Sequence, residues 1–526
     1  MPEDLKKTAQ RVIERAVRRG AKQADAWAEL SRESQVRVRD GDVEDLQQAT
    51  SRGLGLRVIS AGRLGFAYTS DLSDASLDTL VDRALQLAKS SAPDPSNRLP
   101  TAKELGGGRL GRPTGEGRRP EHGIGEGRLG RPTGEGRRPE HGIGGGRLGR
   151  PTGEGRRPEH GIGGGRLGRP TGGGRRPEHG IVRHGDQGLL DPEVIGLSTE
   201  WKIDAAKVME RAGRAVDRHV KTFESVGASD VVAEVAIASS EGLSDSYKSS
   251  YVALYAAPVA QADDGQLQTG YWVDYRRFLN ELQPPEVVGR KAAERAVRML
   301  GAKKGKTCRV PVVMEPLQAA SFFGGLLSAL DGKRIHQKAS FFLGKLGERV
   351  APTTLSLVDD GLYPRGLGSR PFDGEGLPTR RTALLERGVL KSYLYDTYTA
   401  HKAKAHSTAT AGRGYQSLPH IGTTTVIVES TATRPPAEIL RGIKSGLYVT
   451  SMLGHGADTV TGDYSQGAAG LWIENGELAG PVQEMTVAGN LLSMLASIDA
   501  VGDDLDMRGT LGAPTIRFAE LTVAGA

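Results

Sequence analysis

Cysteine is almost absent. Cys308 is the only one in 526 residues, which excludes an intrachain disulfide and fits a reducing compartment. No run approaches the roughly 18 apolar residues of a membrane-spanning helix. The N-terminus, MPEDLKKTAQRVIERAVRRG, has no apolar stretch ahead of a small-residue cleavage site, so no secretory signal is expected. A soluble, cytoplasmic protein without membrane attachment is the expectation. Complete catalytic signatures are also missing. There is no H-E-x-x-H and no Cys pair, and His401 and His406 are five apart rather than four. "GAKKGKT" (301–307) is one residue short of a phosphate-binding loop and lies between a helix and a strand, the wrong order for one. "GDYSQG" (462–467) sets its first glycine three residues before Ser465, where a nucleophile elbow needs two. It reads as a turn in a β-rich region.

Glycine, by contrast, is abundant, and much of it sits in one array. "GRLGRPTGEGRRPEHGI" starts at Gly108, Gly127 and Gly146, and at Gly165 with one Glu changed to Gly, a period of 19. The first copy has six glycines and two strongly apolar residues, Leu110 and Ile124. Stacked repeats need an apolar face on every unit, and two such residues cannot offset an ordering entropy of about 1–2 kcal/mol per residue. A disordered Gly/Arg-rich insertion is expected. From Gly108 to Ile181 there are 16 Arg and 8 Glu, a charge of +8 where the whole chain has +7. The rest of the chain is therefore nearly neutral, and its high pI is no argument for nucleic-acid binding by the folded parts.

Outside the array the pattern is α+β. Residues 5–19 form an amphipathic helix with Leu5, Ile13, Ala16 and Val17 on one side. Alternating segments follow, with hairpin turns at Asp40-Gly41 and Ala61-Gly62. Ser73 caps a helix whose apolar set is Leu77, Leu80, Val81, Ala84, Leu85 and Leu87. The order recurs: helix 201–219, strands, then a helix 284–300 opened by prolines. From Thr307 a strand, an apolar helix at 317–330 and a long β-rich tail follow, with turns at Arg387-Gly388 and Asn475-Gly476. The expected fold is N-terminal and middle helix–antiparallel strands–helix units followed by a β-rich C-terminal domain. The boundaries are an N-terminal domain 1–104, the repeat insertion 105–188, a middle domain 189–305 and a C-terminal domain 306–526.

"RPFDGEG" (370–376) places Asp373 and Glu375 in a glycine-rich turn. Two carboxylates there suit acid–base work or a cation, or an Asx-type turn whose carboxylate accepts local amides. The turn is the preferred reading.

Two long C-terminal stretches, "LGSRPFDGEGLPTRRTALLERGVLKSYLYDTYTAHKAKAHSTATAGR" and "TGDYSQGAAGLWIENGELAGPVQEMTVAGNLLSML", resemble the TldD/PmbA family, closest to its PmbA/TldE branch. "VRVRDGDVEDLQQATSRGLGLRVISAGRLGFAYTSDL" adds an N-terminal similarity. The resemblance implies a metalloprotease complex in which a TldD-like homologue carries zinc on an H-E-x-x-x-H helix, with a late cysteine as third ligand. It also implies an unfolded-peptide substrate and a heterodimer. Here Ser321, Phe322 and Leu326 stand where that helix has its His, Glu and His, and the tail has no cysteine. No metal and no catalytic residue is therefore expected in this chain. It is expected to be the non-catalytic subunit, with zinc in the partner. Motif match names Asp373, Glu375, Ser407, Thr408, Gly412, Asp463, Tyr464 and Ser465 as groove or interface candidates. The alternatives are an Arg/Gly-repeat nucleic-acid-binding protein, disfavoured because the array itself contains no aromatic residue to stack on bases, and an independent metallopeptidase with an unrecognised site.

The array should be dispensable. Deleting 106–183 is expected to move Tm by no more than a few degrees, because little apolar area is lost. A larger drop in a thermal melt would show that the array packs on the folded parts.

Overall fold

The computed structural model describes residues 4–106, 188–454 and 456–525. The array, and with it the expected disordered insertion apart from its ends, lies outside the described residues.

Helix α1 (Leu5–Arg18) is capped by the Asp4 carboxylate and buries Leu5, Ala9, Val12, Ile13 and Ala16. Strand β1 (Gln23–Arg39) turns through Asp40-Gly41 into β2 (Asp42–Ser60), and β2 turns through Ala61-Gly62 into β3 (Arg63–Thr69). All four turn residues have positive φ, as tight hairpins of this hand require. Helix α2 (Asp74–Ser90) starts on Ser73, whose hydroxyl accepts from the Ser76 amide. The apolar stripes of both helices are narrower than the sequence suggested. Val17 is 46% exposed and Leu87 43%, because each sits at the rim of its helix–sheet contact rather than facing the sheet.

Short helices α3 (Ala102–Gly106) and α4 (Pro192–Ile195) flank the undescribed stretch. The pattern then repeats: α5 (Thr199–Arg214), β4 (Val220–Ser239), β5 (Ser244–Gln261), β6 (Leu267–Thr269), β7 (Trp272–Arg276) and α6 (Pro285–Val297). Helix α5 ends at Arg214, five residues short of the expected 219. Asp217 instead accepts the His219 amide and starts the turn into β4.

The two units share one seven-stranded sheet, ordered β3-β2-β1-β4-β5-β6 with β7 on β5. Strands β1 and β4 pair antiparallel at its centre, from Asp25↔Ser239 to Arg37↔Gly227. The order of elements is thus repeated on either side of that central pair. One contact is nearly superimposable. A Cβ on Gly65 would lie 2.0 Å from the Ala84 oxygen and 2.5 Å from the Ala88 nitrogen. On Gly270 it would lie 2.1 Å from the Ala292 oxygen and 2.6 Å from the Ala296 nitrogen. In both units the glycine lets the closing helix rest on the sheet backbone.

The C-terminal part begins with β8 (Lys303–Lys304), so "GAKKGKT" contributes a strand edge and no phosphate cradle. Then come β9 (Cys308–Met314), the apolar helix α7 (Pro316–Ala329) and α8 (Gly332–His336). A small sheet holds β10 (Leu355–Asp360), β11 (Arg381–Glu386), β12 (Val389–Leu390) and, beyond α9 (Thr397–Ala403), β13 (Val426–Ser430). After β14 (Thr433–Arg434) and α10 (Pro436–Arg441) come β15 (Ser445–Leu453), β16 (Asp463–Glu474) and β17 (Glu477–Asn490). The chain ends with α11 (Leu491–Ala496), β18 (Ile498–Gly502), β19 (Leu511–Gly512) and β20 (Ile516–Ala524). Strands β9, β15, β16, β17 and β20 pair in a closed ring, since β17 also bonds to β20. The large core that α7 shares with this barrel includes Met314, Phe322, Leu326, Val449, Val487 and Phe518. The expected α+β order, two helix–strand units and a β-rich C-terminal domain, is the one observed.

Substituting Gly65 or Gly270 by Ala forces the same clash in both units. Each variant should lose about 1–3 kcal/mol and several degrees of Tm. A neutral result at either position in thermal melts would contradict the close helix–sheet contact.

Candidate functional site

The turn at 373–377 forms because Asp373 bonds its own backbone. One oxygen accepts from the Glu375 amide at 2.9 Å and the Leu377 amide at 3.0 Å. The other accepts from Ala411 at 3.1 Å. The carboxylate therefore holds its own turn and ties it to the 407–412 loop, the Asx-type arrangement preferred from sequence. Gly374 is needed for that approach: a Cβ there would lie 2.8 Å from the Arg413 side chain and 2.9 Å from the Gly412 backbone.

Glu375 points towards the N-terminal unit. Its Oε2 accepts from the Thr397 amide at the start of α9 at 2.6 Å, and its Oε1 lies 3.4 Å from Arg57 Nη1. Arg57, on β2, also grips Asp25 on β1, with Nη2 to Oδ2 at 2.6 Å and Nε to Oδ1 at 3.1 Å. Arg413 binds Asp25 from the other side, at 3.0 Å and 3.1 Å. Asp25, Arg57, Asp373 and Glu375 are all buried, and the Arg413 side chain has no exposed surface. Burial opposes the charge on Asp25, yet Arg413 and Arg57 outweigh it and hold the carboxyl below its usual range. Glu375 goes the other way. Burial pushes it up to about 7, against Arg57 and with the help of Asp373 and Asp396.

The 407–412 loop is held by hydrogen bonds to Tyr395, Arg380 and His420. The Ser407 hydroxyl donates to the Tyr395 carbonyl at 3.0 Å, and its own carbonyl accepts from Arg380. Thr408 Oγ1 accepts from the Tyr395 amide at 3.0 Å and is hydrogen-bonded to the Thr410 hydroxyl at 2.9 Å. Gly412 exchanges backbone bonds with His420 at 2.9 and 3.0 Å. The fold thus brings Asp373, Glu375, Ser407, Thr408 and Gly412 into one buried polar junction with Asp25, Arg57 and Arg413. This junction can tie the two parts of the chain together and take up a proton. The Ser407 and Thr408 hydroxyls are engaged in these bonds.

Asp463, Tyr464 and Ser465 belong elsewhere. They line an open groove of about 570 Å³ whose other wall is 456–459. Ser465 donates its amide to the Gly456 carbonyl at 2.8 Å, and Asp463 accepts the Thr461 hydroxyl at 2.9 Å. Helix α7 lies beside this groove: a Cβ on Gly325 would be 3.7 Å from Ala457, and the Phe322 and Tyr464 ring centroids are 6.2 Å apart. The donors a hydrolytic zinc needs are not on this helix. Phe322 and Leu326 are core residues at 2% and 0% exposure, with Phe322 edge-on to Phe518 at 5.1 Å, while Ser321 faces solvent. Apolar side chains offer no lone pair, so the residues present do not fit the metal. Among the described residues no three His, Cys, Asp or Glu side chains gather as a metal site.

Sequence reasoning missed Asp25, Arg57 and Arg413. A signal existed for one: "LGLRVIS" is an otherwise apolar strand broken by a single arginine, and a charge there needs a buried partner.

The raised Glu375 gives a signed pH test. Its proton is held more tightly in the fold than at the ordinary 4.5. Its contribution to stability is thus fully present below about 4.5 and is lost as pH rises through about 7. Glu375→Gln cannot ionise. Its Tm relative to the parent should rise between pH 5 and pH 8 in paired melts; a constant difference would contradict the assignment.

Family models match in the order of the fold. The PmbA/TldA metallopeptidase domain 1 matches residues 24–88, the central domain 192–300 and the C-terminal domain 307–525. The metalloprotease PmbA of Escherichia coli O157:H7 is 31% identical over 329 residues, 62% of this chain and 71% of that protein. A PmbA homologue from Buchnera aphidicola is 31% identical over 284 residues, 54% of this chain and 61% of the relative's length. Among solved structures, a Bacteroides thetaiotaomicron protein described as a modulator of DNA gyrase superposes with a TM-score of 0.79 at 25% identity, over 100% of both chains. TldE from Thermococcus kodakarensis shares the fold, with a TM-score of 0.76 at 19% identity over 98% of this chain and 100% of its own. Three domain models in sequence and a relative matched over most of its length lead to one assignment: the chain belongs to the PmbA/TldD metallopeptidase family.

Proposed function

We propose that this chain is the PmbA/TldE-like subunit of a two-subunit metallopeptidase that degrades or processes unfolded peptides, and that it is not the subunit holding zinc. The observation that carries this reading is the packing of Phe322 and Leu326 into the core of α7, at the positions where the resemblance puts the Glu and second His. A helix that spends those positions on packing cannot also ligate. Zinc, held by a TldD-like homologue, would supply the activated water. This chain would complete the cleft, and the groove at Asp463, Tyr464 and Ser465 is the surface it offers to substrate or partner. The junction of Asp373, Glu375, Ser407, Thr408 and Gly412 would keep that surface in place. A cytoplasmic site of action fits the lone cysteine.

The test is reconstitution. Mixed with a homologue carrying H-E-x-x-x-H, the chain should yield peptidase activity on unfolded peptides that a zinc chelator abolishes. Changing the homologue's Glu should abolish the activity, and Ser321→Ala in this chain should leave it within about twofold. A homologue equally active alone, across substrates and concentrations, would refute the subunit reading.

A further inference from the structure

Strand β15 carries an extra residue on its way to the groove. It pairs with β16 as Val449↔Gly470 and then as Ser451↔Ala469, so Thr450 is bulged out. Its parallel pairing with β9 ends at the same place, on Val449↔Met314. A bulge takes a residue out of the ladder and re-aims the strand beyond it. What lies beyond is the groove lined by Asp463, Tyr464 and Ser465. Met452 Sδ accepts from the Tyr464 hydroxyl at 3.5 Å, and the Gln466 side chain donates to the Gly454 carbonyl at 2.8 Å. Two backbone bonds then join the 456–459 wall to β16. The Ser465 amide donates to the Gly456 carbonyl and the Asp458 amide to the Asp463 carbonyl, both at 2.8 Å.

The Thr450 carbonyl is taken up by side chains from two other elements. Arg295 of α6 donates Nη2 to it at 2.8 Å, and Gln318 of α7 donates Nε2 at 3.1 Å. The same guanidinium forks onto Glu315 at the head of α7, with Nη1 to Oε2 at 2.9 Å and Nη2 to Oε1. Glu315 in turn gives its amide to the Val449 carbonyl at 3.3 Å. Glu315, Gln318 and Thr450 are all buried. One arginine of the middle unit thus fixes both the start of the helix beside the groove and the bend of the strand that leads into it. Desolvation cancels most of the net stability such an ion pair could return. Its use is geometric.

We infer that Arg295, Glu315 and Gln318 are positioning residues for the groove: they hold the bulge at Thr450 and, through it, the 456–459 wall against Asp463, Tyr464 and Ser465. That the groove serves peptide cleavage rests on the subunit reading above; that it is held from α6 does not.

The main test uses the full chain alone, so a failed reconstitution does not decide it. Arg298 stands 3.6 Å from the same carboxylate. In Arg295→Lys, Glu315 therefore still faces two cations, but the planar fork that reaches both its oxygens and the Thr450 carbonyl is lost. Hydrogen exchange of the Asp458 and Ser465 amides should quicken about tenfold in that variant. The amides of β1 and β4 should keep their parent rates, and Tm should fall by no more than a few degrees. Gln318→Met removes only the second donor to Thr450 and should quicken the same two amides in smaller measure, which decides the matter if the lysine variant folds poorly. Parent rates at both amides, or quickening spread equally over β1 and β4, would overturn the proposal. Where the unmodified chain yields an active complex, Arg295→Lys should lower kcat/KM about tenfold, and full activity would likewise overturn it.

Discussion

The arrangement hangs on the buried grip of Arg57 and Arg413 on Asp25. Asp25 and Arg57 belong to the N-terminal strands, and Arg413 comes from the C-terminal loop almost four hundred residues later. Around this grip the other cross-chain contacts assemble. Glu375 closes on Arg57, Tyr415 donates its amide to Glu29 at 3.2 Å, and its ring lies over Gly53, where a Cβ would come within 2.1 Å. Such a cluster is not where the net stability resides. Desolvating the ions costs most of what their attraction returns, although removing one partner alone is severe. The apolar cores supply the stability. The cluster selects one way of docking the parts, because an unpaired Asp25 or Arg413 in that position would be a buried bare charge.

Much of the local structure could be read from sequence because local chemistry determines it. Asp40-Gly41, Ala61-Gly62 and Asn475-Gly476 all form positive-φ turns, and Ser73 caps α2. Alternation was less reliable where a strand is covered on both faces. Ala26 and Ala28 face the helices while Trp27 packs with Phe372 and Val235 on the other side, so "ADAWA" (24–28) is buried throughout rather than by turns. Helix limits and rims failed for a related reason: Leu87 has the right spacing but lies beyond the sheet that would cover it.

The junction was half legible. Asp373 and Glu375 stood out as two carboxylates among glycines, and the Asx turn follows from that composition. Their partners did not, since Asp25 and Arg413 are joined only by the tertiary fold. The pairing of β1 with β4, which merges two similar units into one sheet, was likewise beyond reach without coordinates. The repeated glycine contact at Gly65 and Gly270 shows that the two units solve the same packing problem alike, despite little residue identity.

Helix α7 separates membership of the family from the chemistry its name suggests. Phe322 and Leu326 commit its inner face to the barrel core, Ser321 faces solvent, and a groove beside the helix is left open. The most direct measurement of this account is the zinc content of the purified full chain, loaded with zinc and dialysed against metal-free buffer. The account predicts far less than one equivalent per chain, unchanged by Ser321→Ala. One tightly held equivalent would contradict it, and with it the division of labour between this subunit and a zinc-bearing partner.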